Sequence, residues 1–245
     1  MRPVLFRHRW VKIYSYPAML YLGLLFGVAA GNYATHVVAL DGARIFIATL
    51  LLLIPALVGA RLLFVVSHWS FYRHNRERIW ERSEGGGALY GGLPLSLLVS
   101  VPLLNICQVP FGAFWDIATF TILVGMIFVR VGCLLNGCCG GRPSSGRFAL
   151  YLPDYQGYWQ QRIPTQLLEA GLALLLLIAA ALLWRYMPFH GALFLSAMLS
   201  YGLGRFLLEF IRDKQECIGR FTLNHAISAT LVVCSLITFW AASFK

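Results

Sequence analysis

Long runs of apolar residues, separated by shorter polar segments, dominate the sequence. A helix needs about 20 mostly apolar residues to cross the hydrocarbon core of a bilayer, and each run approaches or exceeds that length. Backbone polar groups must be satisfied within the membrane, and the runs are longer than the strands of a barrel. We therefore predict an all-α polytopic bundle of seven transmembrane helices, at 17–39, 44–66, 88–107, 113–131, 166–184, 190–211 and 222–242. The prediction makes residues 1–245 a single integral membrane domain with its main loop at 132–165.

Composition supports the same class. Hydrophobic residues make up 59% of the chain and charged residues 12%, whereas soluble domains carry about 25% charged residues. A soluble globular domain is therefore excluded. The formal net charge is +10, and in a chain that is mostly lipid-embedded this excess excludes a nucleic-acid partner and indicates an anionic phospholipid.

The basic residues are unevenly distributed between the two predicted sides. The N-terminal tail and segments 67–87, 132–165 and 212–220 share one side and hold 14 of the 20 basic residues. The opposite side holds three, and the remaining three lie inside spans. The positive-inside rule places the basic side in the cytoplasm.

The three arginines inside spans, Arg61, Arg130 and Arg205, are candidate functional residues because intramembrane charges are costly. Glu209 lies four residues after Arg205 and shares its helix face. This spacing predicts either a structural ion pair or a phosphate clamp. Arg130 ends the fourth span, where it stabilises the helix dipole, snorkels to the interface or binds phosphate. Arg61 lies near the end of its span, where snorkelling is an equal alternative.

Glycines and cysteines mark further candidate positions. Gly91 and Gly92 allow close approach of a ligand or of another helix, and Tyr90 before them is a hydroxyl donor or an interfacial anchor. Of the six cysteines, Cys133, Cys138 and Cys139 cluster after the fourth span. Because no C-x-x-C motif occurs and no histidine lies nearby, we predict neither a metal site nor a cofactor. The alternatives are buried thiols and a reactive thiolate beside arginine.

The order of these motifs resembles that of the prolipoprotein diacylglyceryl transferase family over about residues 16–243. The resemblance rests on the following segments: Tyr16-Pro17-Ala18-Met19, Gly59-Ala60-Arg61, Gly86 to Leu93, Asp116-Ile117-Ala118, Arg130 to Gly137, Arg162 to Ala170 and Tyr201 to Arg212.

The resemblance implies a seven-helix enzyme that transfers diacylglyceryl from phosphatidylglycerol to a prolipoprotein cysteine and releases glycerol phosphate. It implies that Arg130 and Arg205 are the essential arginines. It also implies site positions at Tyr16, Asn136 and Gly141. Glu209 and Arg212, in the last motif, and Gly91 and Gly92 are expected to bind substrate. The implied setting is the bacterial inner membrane, with the enzyme a multi-pass monomer.

Three polar positions depart from the family pattern. Tyr90 replaces a histidine, Cys133 an asparagine and Cys138 a glutamate. Tyrosine is a poor base near neutral pH. The departures leave open a divergent member with a different, cytoplasmic acceptor, a covalent lipid intermediate on Cys138 or Cys139, and a non-catalytic lipid-binding or flipping protein. The cytoplasmic loops predicted from charge favour the divergent reading, because the family acts on an exported acceptor.

Overall fold

The computed structural model describes residues 4–8, 11–36, 38, 40–74, 76–80, 89–153, 157–213 and 222–244. Its principal elements are helices, as the apolar runs predict. They are α1 (Ser15–Thr35), α2 (Gly42–Ser67), α3 (Trp69–Tyr72), α4 (Leu89–Ile106), α5 (Phe111–Asn136), α6 (Thr165–Leu183), α7 (Ala192–Glu209) and α8 (Leu223–Ser243). Short 3-10 turns lie at Arg76–Trp80 and Trp184–Tyr186.

Six of the described helices are long and apolar enough to cross a membrane: α1, α2, α5, α6 with the 3-10 turn that follows it, α7 and α8. These six helices coincide with six of the predicted spans and confirm the all-α fold class, while the membrane crossings themselves stay predictions. The predicted span at 88–107 forms α4, of 18 residues, but the stretch Gly91–Ile106 is shorter than those six helices. Its role as a membrane crossing stays a prediction.

Two antiparallel hairpins accompany the helices. Strands β1 (Val4–His8) and β2 (Val11–Tyr14) pair before α1, and β3 (Leu150–Pro153) pairs with β4 (Trp159–Arg162) inside the predicted main loop. The sequence analysis did not predict them, since strands of four or five residues are too short to show a clear alternating pattern.

The chain divides into two compact units, one of residues Met1–Ala34 with Trp115–Lys245 and one of residues Thr35–Phe114. In the first unit, α7 packs against α6 and α8. A core of Ala34, Phe120, Leu123, Ala180 and Leu193 joins α1, α5, α6 and α7. Asp116 accepts hydrogen bonds from the Gly191 and Phe194 amides at 2.7 and 3.0 Å, which caps the start of α7.

In the second unit, α2 and α4 pack closely through small residues. A Cβ atom added to Gly92 would lie 2.6 Å from the Ala56 carbonyl oxygen, and one added to Gly91 would overlap the carbonyl of Gly59. The helix-packing alternative for these glycines is therefore confirmed, and a substrate role for either of them stays a prediction.

Helix α5 continues five residues beyond the predicted end at 131 and ends at Asn136. The prediction was wrong there because an apolar run shows the extent of a span but not the contacts that extend its helix. Gly132 allows close packing, since a Cβ at this position would lie 3.0 Å from the Met19 Cβ. The helix stops at Gly137, whose φ of 75° is the left-handed conformation common after a helix C-terminus.

Candidate functional site

Two buried arginines of the first unit converge on one carboxylate, Glu169 of α6. The Arg130 Nη2 atom lies 2.5 Å from Glu169 Oε2, and the Arg205 Nη1 atom lies 3.4 Å from Oε1. The Arg205 and Glu169 side chains are 2% and 1% exposed, whereas that of Arg130 is 17% exposed. Arg130 is therefore the more accessible of the two arginines.

A second carboxylate completes this ion-pair network. Glu209 Oε2 lies 2.9 Å from Arg205 Nη1 and 3.9 Å from Arg212 Nη1. Its other oxygen accepts hydrogen bonds from Thr222 Oγ1 at 2.9 Å and Asn224 Nδ2 at 3.1 Å. The predicted Arg205–Glu209 ion pair is thus confirmed, and it belongs to a network of three arginines and two glutamates.

The segment after α5 folds back over the start of α6. Thr165 Oγ1 donates a hydrogen bond to the Cys139 carbonyl at 2.8 Å, and Gln166 Nε2 donates to the Cys138 carbonyl at 2.6 Å. Cys139 has a φ of 63°, a left-handed conformation that is uncommon for a residue with a side chain. Both carbonyls are fixed by the helix that also carries Glu169.

This turn brings the thiols of Cys133, Cys138 and Cys139 together, with their sulfur atoms within 4.8 Å of one another. Hydrogen bonds from Cys133 and Cys138 lower the pKa of the Cys139 thiol. Burial opposes this effect, but the charges of Arg212 and Arg130 add to it. For Cys138, the hydrogen bond with Cys133 lowers the pKa, but the bond with Cys139 and burial outweigh it, so the pKa is raised. The cluster therefore holds thiols of opposite acidity.

Gly141 lies where three segments meet. Its amide donates to the Ile163 carbonyl at 2.9 Å, and it forms a β-bridge with Arg212. An added Cβ would lie 2.7 Å from the Ile163 oxygen and 2.9 Å from the Ile211 oxygen. Beside it, the buried Arg162 pairs with Asp213. The requirement for glycine at 141 is thus steric.

These features were compared with known proteins. The family model for prolipoprotein diacylglyceryl transferase matches residues 3–241. The chain belongs to this family. A phosphatidylglycerol–prolipoprotein diacylglyceryl transferase of Bacillus cytotoxicus is 30% identical over 207 residues, which cover 78% of this chain and 74% of the relative. A protein of the same name from Listeria monocytogenes is 28% identical over 195 residues, which cover 74% of this chain and 68% of the relative.

Tyr16 is the second residue of α1 and lies in the first unit, which also contains the ion-pair network. It interacts electrostatically with Arg130 and with the three clustered thiols, and its Cα atom lies beside Gly132. Asn136 is the last residue of α5 and is exposed. Tyr16 therefore lies beside the last turns of α5, Asn136 ends this helix, and Gly141 follows it in the chain. The roles of these three residues in binding stay predictions.

The remaining predicted site residues belong to the second unit. Arg61 donates from Nε to the Ile79 carbonyl at 2.7 Å, and its guanidinium lies 5.5 Å from the ring centres of both Phe64 and Tyr72. These contacts fix the arginine within its own unit. Tyr90 lies in the first turn of α4, and its side chain is outside the described residues, so its proposed role stays a prediction.

Glu169 is the main functional candidate that the sequence analysis missed. It lies inside the predicted span 166–184, so the rule that singled out the intramembrane arginines applied to it as well. Tyr201 was also missed. It is 3% exposed and interacts electrostatically with Arg130. Tyrosine is ordinarily uncharged, so the rule for charged residues inside a span does not single it out.

Proposed function

We propose that this chain transfers the diacylglyceryl group of phosphatidylglycerol to the cysteine thiol of a prolipoprotein, with release of glycerol phosphate. Membership of the family and the names of its relatives support this activity. The structural observation that carries the proposal is the convergence of Arg130 and Arg205 on Glu169. Arg205 holds Glu169 from one side, so that this carboxylate orients Arg130, whose partly accessible side chain can donate to the oxygens of a phosphodiester.

The two arginines have different roles in this proposal. Arg130, the more exposed, contacts the phosphate and stabilises the charge that accumulates on glycerol phosphate as the carbon–oxygen bond breaks. Arg205 is a positioning residue that acts through Glu169. It holds the carboxylate against Arg130 and so fixes the direction of the Arg130 guanidinium.

The charge of the network fits this substrate. Three arginines, Arg130, Arg205 and Arg212, oppose two carboxylates, Glu169 and Glu209. The sum over these five side chains, 3 minus 2, is +1, and a phosphodiester carries one negative charge. The charge of phosphatidylglycerol is therefore opposite in sign to that of these five side chains, two of which, Arg130 and Arg212, are partly accessible.

Complementation of a bacterial strain depleted of its own diacylglyceryl transferase tests the function. We expect rescue by the natural chain, loss of rescue with Arg130→Ala, and full rescue with Arg44→Ala. Arg44 is a suitable control because its side chain is 50% exposed and pairs with the exposed Asp41. Immunoblots of membranes establish equal abundance. Failure of the natural chain at normal abundance would contradict the proposal and favour another acceptor or a non-catalytic lipid-binding or flipping role.

We further propose that the protein resides in the bacterial inner membrane as a monomer. An exported acceptor requires the segment after α5 to face outward, whereas the distribution of basic residues predicts the cytoplasm. Reporter fusions to Lys245 decide between these orientations. A reporter that is active in the cytoplasm supports the exported acceptor, because three candidate spans, α6, α7 and α8, separate Lys245 from the segment after α5.

A further inference from the structure

The three thiols that follow Arg130 are arranged as metal ligands. The sulfur atoms of Cys133, Cys138 and Cys139 all lie within 4.8 Å of one another. Cys133 is buried, and the other two are partly buried. Thiolate sulfur is a preferred ligand of zinc, with a metal–sulfur distance of about 2.3 Å.

We propose that Cys133, Cys138 and Cys139 bind one zinc ion through three thiolates and leave its fourth position open. Tetrahedral geometry at that bond length separates the sulfurs by about 3.8 Å, so they need to approach by no more than about 1 Å. Three protein ligands with an open fourth position are typical of catalytic rather than structural zinc sites.

The backbone around the cluster is held in this arrangement before any ion binds. The Cys133 carbonyl accepts a hydrogen bond from the Cys138 amide at 3.1 Å. Thr165 and Gln166 fix the next two carbonyls. Cys139 itself has a left-handed backbone conformation, and its sulfur lies within 4.8 Å of the other two. A strained residue held in place by such contacts is characteristic of functional sites.

Electrostatics favours an ion held by three thiolates. Zinc with three thiolates carries a net charge of −1, and the three thiol protons are released on binding without any oxidation. Arg130 lies three residues before Cys133 on α5, and Arg212 forms a β-bridge with Gly141, two residues after Cys139. These arginines attract the anionic zinc–thiolate group, although they repel a free cation. Binding is therefore expected to depend on deprotonation of the thiols.

The open fourth position gives zinc a role in the transfer reaction, and this role rests on the proposed function. The acceptor cysteine binds there as the fourth thiolate and gives its proton to water. Its sulfur then forms a bond to the glycerol carbon of phosphatidylglycerol, while the bond from that carbon to the phosphate oxygen breaks. Glycerol phosphate leaves with the electron pair. Zinc would thus supply the thiolate for which Tyr90 is a poor base.

Metal binding is measured on the full chain, purified in detergent with a tag that contains no histidine. The protein is kept reduced, stripped of metal and titrated with Co²⁺, which reports tetrahedral thiolate ligation by its absorption. Zn²⁺ affinity is obtained by competition with a chromophoric chelator. We expect one ion per chain, and at least a tenfold loss of affinity in Cys133→Ser, Cys138→Ser and Cys139→Ser.

Cys234→Ser is the matched control, because Cys234 is an exposed thiol in α8, and its affinity is expected to equal that of the natural chain. Cys217 is retained in every variant, so it cannot cause differences between them. Size-exclusion profiles identify any variant that fails to fold. If Cys138→Ser is the only one of the three cluster variants that folds, its affinity for Zn²⁺ alone tests the proposal. Absence of saturable Co²⁺ binding by the reduced natural chain, or unchanged binding by folded Cys138→Ser, would overturn the proposal.

Because this titration contains neither phospholipid nor acceptor, its outcome is independent of transferase activity. Intact-mass spectrometry during turnover separates the zinc role from a lipid carried on a cysteine. Zinc ligation predicts an unmodified mass, and an added diacylglyceryl group that Cys138→Ser removes would overturn it.

Discussion

Removing the charge of Glu169 tests the buried network most sharply. Glu169→Gln keeps the size of the side chain and one acceptor oxygen but leaves Arg130 and Arg205 without their shared carboxylate. Removing one partner of a buried ion pair costs about 3 to 5 kcal/mol. Glu169 is 1% exposed, while part of Arg130 still reaches solvent. We therefore expect a loss near the lower end, about 3 kcal/mol.

Unfolding in mixed micelles, followed by tryptophan fluorescence, measures this loss. The control is Asp41→Asn, which removes the charge from an ion pair whose side chains are 54% and 50% exposed. Asparagine still caps α2 in place of Asp41, and an exposed pair contributes about 0 to 1 kcal/mol. A Glu169→Gln loss within about 1 kcal/mol of the control would refute the network as a source of stability.

A double-mutant cycle with Arg205→Gln assigns the energy to a contact. We expect the two substitutions to be non-additive by about 0.5 to 3 kcal/mol, as for residues of one ion-pair network. Additive losses would show that Glu169 and Arg205 stabilise the fold independently, and the positioning role of Arg205 would then lose its support.

Three further substitutions, one of them a control, test the packing of the first unit. Gly27→Ala places a Cβ atom 2.7 Å from the Thr121 carbonyl oxygen and should lower the free energy of unfolding by about 1 to 3 kcal/mol. The control, Gly171→Ala, also lies within a helix, but its added Cβ would have no atom within 4 Å, so it should be neutral or stabilising. Equal melting temperatures of the two variants would contradict the close approach of α1 and α5. Asp116→Ala removes both hydrogen bonds at the start of α7 and should cost about 1.5 to 3 kcal/mol, measured by the same micelle unfolding, with a loss below about 0.5 kcal/mol as the contradicting result.

The sequence predicted the helices better than the turns. Apolar runs located the helices because lipid imposes one requirement, an apolar surface of sufficient length. The pairing of Arg205 with Glu209 followed from their spacing of four residues along a helix. The end of α5 could not be located in the same way. Gly132 lies in close contact with α1, and no local pattern in the sequence reveals such a contact.

The convergence of the site also depended on contacts between distant segments. Glu169 meets Arg130 only because α5 and α6 pack side by side. The thiol cluster depends on left-handed backbone at Gly137 and Cys139, together with hydrogen bonds from α6. Sequence spacing therefore placed Arg130 and the thiols together, but it could not show that Glu169 and Arg205 meet Arg130.

Transfer of diacylglyceryl to a peptide is the most direct test of the proposed activity. The purified chain is incubated in micelles that contain phosphatidylglycerol and a peptide bearing the prolipoprotein cysteine, and the peptide mass and released glycerol phosphate are measured together. We predict one diacylglyceryl group per peptide with an equal amount of glycerol phosphate, and a rate at least about 100-fold lower for Arg130→Ala. An unmodified peptide with no glycerol phosphate release, from folded protein assayed both with and without added Zn²⁺, would contradict the proposal.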